Sequence, residues 1–268
     1  MSLVYSGVYF MRIAVCIKQV PDTETKIKLK PDQTGIDTSG IKWVINPYDE
    51  HAIEEGLKLR GTDAGSNVLV LTLGPKARAC EALRTALAMG ADDAILIDTA
   101  EPLDASMTAS ALASCLKKEG AFDLILTGRQ AIDDNDACVS QMLAGELGIP
   151  HLTVVSKLTL AGQVATVERE VEGGTKEIFE ISLPALFAAN KGLNTPRYAS
   201  LPGIMKAKKK VIKEYALSAL EIDCTKSQIK QSAFRLPPEK PAVKILSGDI
   251  KIQAHELARL LREEAKVI

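Results

Sequence analysis

Residues 68–97 read VLVLTLGPKARACEALRTALAMGADDAILI. The first part, Val68–Leu73, is an unbroken apolar run that gives way at Gly74-Pro75 to helical spacing over Ala77–Met89. Gly90 stands where a left-handed residue ends a helix, and a second apolar run, Ala94–Ile97, follows. A strand, a helix and a strand in this order make a βαβ unit with a right-handed crossover. Strands apolar at consecutive positions are covered on both faces, so helices are expected on both sides of the sheet.

The same grammar extends outward. Ile13–Ile17 (IAVCI) and Leu124–Leu126 (LIL) are further apolar runs. Helical spacing recurs over Tyr48–Arg60, opened by Asn46-Pro47, over Ala105–Lys118 before Gly120, and over Ala137–Leu147 before Gly148. The fold class expected is therefore α/β, with a doubly wound, mostly parallel sheet. Beyond residue 150 the pattern changes. Val154–Leu160, Val164–Glu170 and Lys176–Ile181 alternate apolar and polar residues and are separated by Gly162 and by Gly173-Gly174, which predicts an antiparallel extension. Leu186–Ala189 fits one more buried strand. Residues 190–203, with their asparagines, glycines and prolines, read as a long irregular loop, followed by the basic run Lys206–Lys210. Residues 216–268 read as an arm that ends in an amphipathic helix over Ile252–Glu264. Residues 11–215 are then the α/β body, and residues 1–10 a non-native start or tag.

Composition narrows the function classes. The chain has 268 residues, 46% hydrophobic and 25% charged, with a net charge of −1. That balance offers no general attraction for nucleic acid or an anionic membrane. Its five cysteines fall in no CxxC spacing and its three histidines are far apart, so neither a disulfide framework nor a transition-metal site is expected. No stretch approaches the roughly 20 apolar residues of a membrane span. A reducing, cytoplasmic setting is the expectation.

Ligands of doubly wound sheets bind at the carboxyl ends of the strands. Four segments fall there: Cys16-Ile17-Lys18, Asn46-Pro47-Tyr48-Asp49, Leu73-Gly74-Pro75 and the stretch from Gly128 to Val139. The last is a polar loop, Gly128-Arg129-Gln130-Ala131-Ile132-Asp133-Asp134-Asn135-Asp136, that leads into a helix at Ala137-Cys138-Val139. Helix N-termini attract phosphate, Gly128 permits close backbone approach, and Arg129 adds charge. Asp133 and Asp134 weaken such a site unless they turn to ribose hydroxyls or to capping. From the residues alone, a nucleotide site and an ordinary βα loop both stand. There is no GxGxxG, no P-loop and no Ser/His/Asp or Cys/His set. Cys138 is either an activated thiol at a helix start or an inert small residue.

Several blocks resemble electron transfer flavoprotein beta subunits. They are Leu83–Asp92 (LRTALAMGAD), Asn46–Asp49 with Glu54-Glu55, Gly128–Asp134, Val167–Glu170 with Gly173-Gly174, and Asn194–Lys210 (NTPRYASLPGIMKAKKK). The resemblance runs from Met11 to about residue 213 and implies an adenine nucleotide alpha-hydrolase-like fold. It further implies AMP, or a second FAD in electron-bifurcating members, held by Cys16, Asn46–Asp49, Leu73 and Gly128–Val139. The redox-active FAD then resides mainly on an alpha subunit. Where AMP-binding members carry Asn-Gln-Thr or Ala-Gln-Val, this chain has Ala137-Cys138-Val139, so backbone N–H groups do more of the work. The same likeness makes Tyr198–Met205 a docking loop for acyl-CoA dehydrogenases and other flavoprotein dehydrogenases, with Leu201 as anchor beside Tyr198, Pro202, Ile204 and Met205. Lys206 and Lys209 are either a solvated face or a guide for an acidic partner. Arg169 and Glu170 match a pair near the alpha subunit's flavin domain. The implied role is that of an electron carrier, not an enzyme, passing electrons onward to a quinone oxidoreductase. The alternatives are a bifurcating beta subunit and a stand-alone nucleotide-binding stress or sensor protein.

Overall fold

Each apolar run in the first half of the chain is a strand, and a helix stands between each one and the next. The computed structural model describes residues 10–62, 65–100, 102–223, 227, 229, 231–240 and 242–268. In chain order the elements are β1 (Arg12–Cys16), β2 (Gln19–Pro21), β3 (Trp43–Ile45), α1 (Pro47–Arg60), β4 (Asn67–Gly74), α2 (Lys76–Met89), β5 (Asp93–Asp98), α3 (Ala105–Glu119) and β6 (Leu124–Gly128). There follow α4 (Val139–Leu147), β7 (His151–Ala161), β8 (Val164–Glu170), β9 (Lys176–Ser182), β10 (Ala185–Ala189), α5 (Leu201–Lys209), β11 (Lys213–Ala216) and α6 (Ile250–Glu263). Residues 1–9, read above as part of a non-native start, lie outside the described residues, as does Cys224.

Among the described residues, nine strands form one sheet in the order β11-β5-β4-β1-β6-β10-β7-β8-β9. Every pairing from β11 through β7 is parallel, and β8 and β9 continue it antiparallel. The residues of β1 divide between two cores. Ile13 and Val15 belong to the same buried core as Ile53 and Leu57 of α1 and Leu83 of α2, while Ala14 and Cys16 belong to the core that holds Leu112 and Leu116 of α3 and Leu143 of α4. This two-sided cover makes the consecutive apolar run necessary. Fully burying each such Leu or Ile contributes about 1.5–3 kcal/mol. The helix ends follow their local chemistry. Pro47 occupies the first turn of α1, Asp104 caps α3 by accepting from Met107 N, and Gly90 N closes α2 by donating to Ala86 O and Leu87 O.

The buried strand expected over Leu186–Ala189 is present as β10, and other placements go beyond the sequence-based expectation. β7 belongs to both regimes, parallel to β10 on one side and antiparallel to β8 on the other. β10 is buried at all five positions and sits between β6 and β7. β11 extends the parallel sheet beyond β5. A small antiparallel pair, β2 with β3, carries no clear sequence signal. It is tied to the start of α2 by Gln19 Nε2, which donates to Arg78 O (2.7 Å), and by the Arg78 guanidinium, 3.9 Å from the centre of the Trp43 ring.

Contacts divide the chain into two units. One runs through Ile27 and resumes over Thr38–Gln231; the other comprises Lys28–Asp37 and Ser232–Ile268. The second contains a Leu29–Ile36 bridge and α6, whose N-cap Asp249 accepts from Lys251 N and Ile252 N. No helix of the described residues is long and apolar enough to cross a membrane.

Candidate functional site

The chain leaves β1 through α1 toward β4 and leaves β6 through α4 toward the opposite end of the sheet. β1 and β6 are neighbours, so their carboxyl ends flank a crevice at the point where the winding reverses. Asp49 organises it. This side chain is buried, its Oδ2 accepts from Lys18 N (2.6 Å), and its Oδ1 accepts from Gly128 N (2.9 Å). Burial pushes the Asp49 carboxyl up to about 7, against the opposing pull of hydrogen bonds from Lys18 N, Asn46 and Gly128 N. Asn46 extends the fastening, because Nδ2 donates to Gln130 O (2.8 Å) and Oδ1 accepts from Ile132 N (3.2 Å). Asn46–Asp49 and Gly128–Ile132 thus meet as one polar network. The close approach that Gly128 permits is that of α1: a Cβ there would lie 2.3 Å from Asp49 Oδ1 and 2.7 Å from Tyr48 Cβ.

Lys18 answers the objection raised by the two acids. Its Nζ donates to Asp133 (2.8 Å) and Asp134 (2.6 Å). Burial opposes the ammonium charge, yet its hydrogen bonds to both carboxylates hold its pKa above the ordinary value. The Arg129 guanidinium stands 5.2 Å from the centre of the Tyr48 ring, and Gln130 Nε2 donates to Asn135 Oδ1 (2.9 Å). Asp136 N donates to Asp134 Oδ1 (3.1 Å), closing a local turn. The helix expected from Ala137 starts two residues later, because Ala137 takes a left-handed φ of 51° that no α-helix accepts.

α4 begins at Val139 after Cys138, and no side chain caps it. Ser140 and Thr127 share a buried 2.7 Å hydrogen bond that fixes α4 to β6. On the first turn of α4, Gln141 Oε1 is a buried acceptor that no protein group satisfies. Uncapped N–H groups beside an unmet acceptor suit a ligand carrying both an anion and hydroxyl or amine donors. The Cys138 thiol is pushed up, by burial first and then by Asp136 and Asp134, which favours the inert reading. Cys16 is likewise pushed up by burial, and Leu73 packs half-buried against the core on the α3 side. At the amino ends of the strands a separate cavity of about 280 Å³ is lined by Arg12, Asn67, Asp93, Glu119 and Lys213. Its polar groups satisfy one another, through Asn67 with Asp93 and Lys213 with Glu119.

The segment expected as a docking loop is half helix. Residues 191–200 are irregular, and α5 starts at Leu201, with Ser200 Oγ accepting from Gly203 N (3.1 Å) and Pro202 in the first turn. Tyr198 is 98% exposed, Leu201 74% and Met205 54%, and Ile204 is partly so, whereas Ala207 on the opposite side is buried. α5 lies so close to α2 that a Cβ on Gly203 would fall 2.3 Å from Ala88 O. Lys206 and Lys209 are exposed, but Lys210 is structural, its Nζ donating to Ala91 O (2.9 Å) and to Asp92 O. Arg169 and Glu170 are not part of this segment. They lie on β8, where Arg169 pairs with Glu177 of β9 (2.7 Å). Sequence reasoning left the roles of Lys18, Glu54, Glu55, Arg84 and Arg197 unassigned. An ion pair between distant residues has no local spacing to betray it.

Residues 33–220 match the electron transfer flavoprotein domain. The chain is 44% identical over 262 residues to the electron transfer flavoprotein subunit beta of Bacillus subtilis (strain 168), covering 96% of this chain and 100% of that protein. It is 41% identical to the mitochondrial electron transfer flavoprotein subunit beta of Oryza sativa subsp. japonica, covering 96% of this chain and 100% of that one. It is also 41% identical to the Homo sapiens electron transfer flavoprotein subunit beta, covering 93% and 99%.

Proposed function

The chain belongs to the electron transfer flavoprotein beta subunits, and from that premise we propose that it binds AMP in the β1/β6 crevice and serves as the docking half of an electron carrier. Members of this family are electron-transfer subunits that pair with an alpha subunit. The observation that carries the nucleotide reading is the uncapped start of α4 beside the unsatisfied Gln141 Oε1. Backbone N–H groups of α4 receive the phosphate. The 128–138 loop, held by Asp49 and Asn46, shapes the adenosine end, and Lys18 neutralises Asp133 and Asp134 so that they do not repel the anion.

FAD, held mainly by the alpha subunit, supplies the electron chemistry when bound; this chain makes and breaks no bonds. Arg169 and Glu170 face that subunit's flavin domain in this reading. Tyr198, Leu201, Pro202, Ile204 and Met205 dock a flavoprotein dehydrogenase such as an acyl-CoA dehydrogenase, and Lys206 and Lys209 steer its approach. The electrons then pass to a quinone oxidoreductase. The free thiols Cys16, Cys80, Cys115 and Cys138 suit a reducing compartment such as the cytoplasm.

Co-expression with the alpha subunit tests this. The expected product is a yellow heterodimer with one FAD and one AMP, the latter read by mass spectrometry of the denatured complex. Two flavins and no AMP would replace this reading by the bifurcating one. A stable, colourless lone chain that never captures a partner would end both.

A further inference from the structure

Two consecutive buried acids of α1 grip the root of the docking segment from below. Glu54 accepts from Arg197 Nε (2.7 Å), Arg197 Nη2 (2.8 Å) and Arg197 N (3.1 Å). Glu55 accepts from Asn194 Nδ2 (2.8 Å), which also donates to His51 O (2.9 Å). Asn194 Oδ1 lies 3.1 Å from His51 Nδ1, so the amide is bonded at both ends. Glu54 and Glu55 are only 6% and 1% exposed. Past the segment, a second fastening holds the other root: Arg84 Nη1 donates to Ala207 O and Lys210 O. Between the two fastenings, Tyr198 and Leu201 are the most exposed large apolar side chains.

We infer that the Glu54–Arg197 pair is a positioning device for partner docking, holding Tyr198 and Leu201 in a preformed presentation so that little ordering remains to be done on encounter. This rests on the docking reading above and adds to it the residues that set the segment's geometry.

The physical argument is one of preorganisation. A segment of irregular backbone, tipped by large apolar side chains, would otherwise collapse onto its own subunit or sample many conformers, and binding would then bear the cost of fixing one. A forked guanidinium on a carboxylate fixes direction as well as distance. The same acid also accepts the Arg197 backbone N–H, so side chain and main chain are pinned together at the residue preceding Tyr198. Burial alone would raise the Glu54 pKa, but the hydrogen bonds and charge of Arg197 reverse this and leave it lowered. The pair thus stays ionised throughout the neutral range. Glu54 lies on the helix that begins at the crevice, yet it shares no hydrogen bond with Asp49 or Asn46, so its loss should leave the nucleotide in place.

The test uses the heterodimer with Glu54→Gln and Arg197→Gln, singly and together, and with Leu201→Ala as the control for docking. Backbone hydrogen exchange over residues 194–205 is followed, together with electron delivery from an acyl-CoA dehydrogenase reduced by its own substrate. Each single variant is expected to speed exchange roughly tenfold at 195–201. It is also expected to raise the KM for the dehydrogenase roughly five- to tenfold, with kcat and AMP content unchanged. The double variant should be no worse than the poorer single one, since both remove the same bond. If Glu54→Gln does not fold, Arg197→Gln, altered on the half-exposed partner, reads the same quantities. Unchanged exchange and KM in the single variants, with Leu201→Ala still raising KM, would overturn the inference and leave docking intact. A silent Leu201→Ala would remove the docking reading and this inference with it.

Discussion

The crevice at the ends of β1 and β6 and the segment Tyr198–Met205 are built on opposite plans. In the crevice, the polar groups that fasten its walls are hidden and spoken for: Asp49 and Asn46 spend their hydrogen-bonding capacity on the backbone of Lys18, Gly128, Gln130 and Ile132. In the segment, apolar groups are shown to solvent, and the polar groups that matter, Glu54 and Arg84, lie beneath it. A buried polar network fixes a shape because every unmet group is costly. An exposed apolar tip has no such internal demand, so its shape must be imposed from its roots. The two regions should therefore fail differently.

The largest expected effect is at Gly128. Gly128→Ala drives a Cβ into Asp49 and Tyr48, which should cost about 3 kcal/mol of stability and release AMP. Urea unfolding with mass spectrometry of retained nucleotide reads both, and a variant of unchanged stability would break the claim that α1 fills that space. Next is Asp49→Asn, whose amide NH₂ must oppose either Lys18 N or Gly128 N, a loss of about 2 kcal/mol.

Its pH dependence has a definite sign. The native carboxyl titrates near 7 against 3.8 for the free group, so between those values the native state holds a proton that the unfolded chain has lost. The stability from this group is present at low pH and is lost as pH rises through that window. The gap between the parent protein and Asp49→Asn should accordingly be wider at pH 5 than at pH 8 in urea unfolding; a gap that widened with pH would contradict the burial argument.

In the segment, Leu201→Ala should leave stability within about 0.5 kcal/mol while weakening partner binding about 30-fold, or ~2 kcal/mol. Calorimetric unfolding beside surface-based affinity measurement separates the two, and a large fall in Tm would mean that Leu201 is core after all. The smallest effect belongs to Lys206→Gln with Lys209→Gln. A few-fold drop in association rate at low salt should disappear at about 1 M salt, where screening removes long-range attraction; a loss that persists at high salt would mark direct contact instead of steering.

The same contrast explains what could be read before the fold was known. The parallel sheet was legible because strands covered on both faces announce themselves as consecutive apolar residues, as in Val68–Leu73. Asn46-Pro47 and Gly128 were legible as punctuation, although the room that Gly128 makes for Asp49 was not. The start of α4 was misplaced because an alanine at left-handed φ is stabilised by its surroundings and not by its own propensity. β2 and β3 are three residues each, too short for periodicity to register. Leu201 is a harder case. A leucine in a loop is ordinarily tucked beneath it; Pro196 and Pro202, with the family likeness, favour exposure here, and Leu201 is exposed. Lys210, counted in a basic run, is a tie to the end of α2 because its partners are backbone carbonyls 118 and 119 residues away.

The chain's single tryptophan offers an optical consequence of the contact between β3 and α2. With the Arg78 guanidinium over the Trp43 indole, emission should respond to a neighbour on the helix that leaves the end of β4. Fluorescence at this site needs no dye and no engineered label, and it changes when that neighbour lifts away. The protein thus carries its own lamp at the start of α2, able to signal in real time whether the β2–β3 pair stays seated.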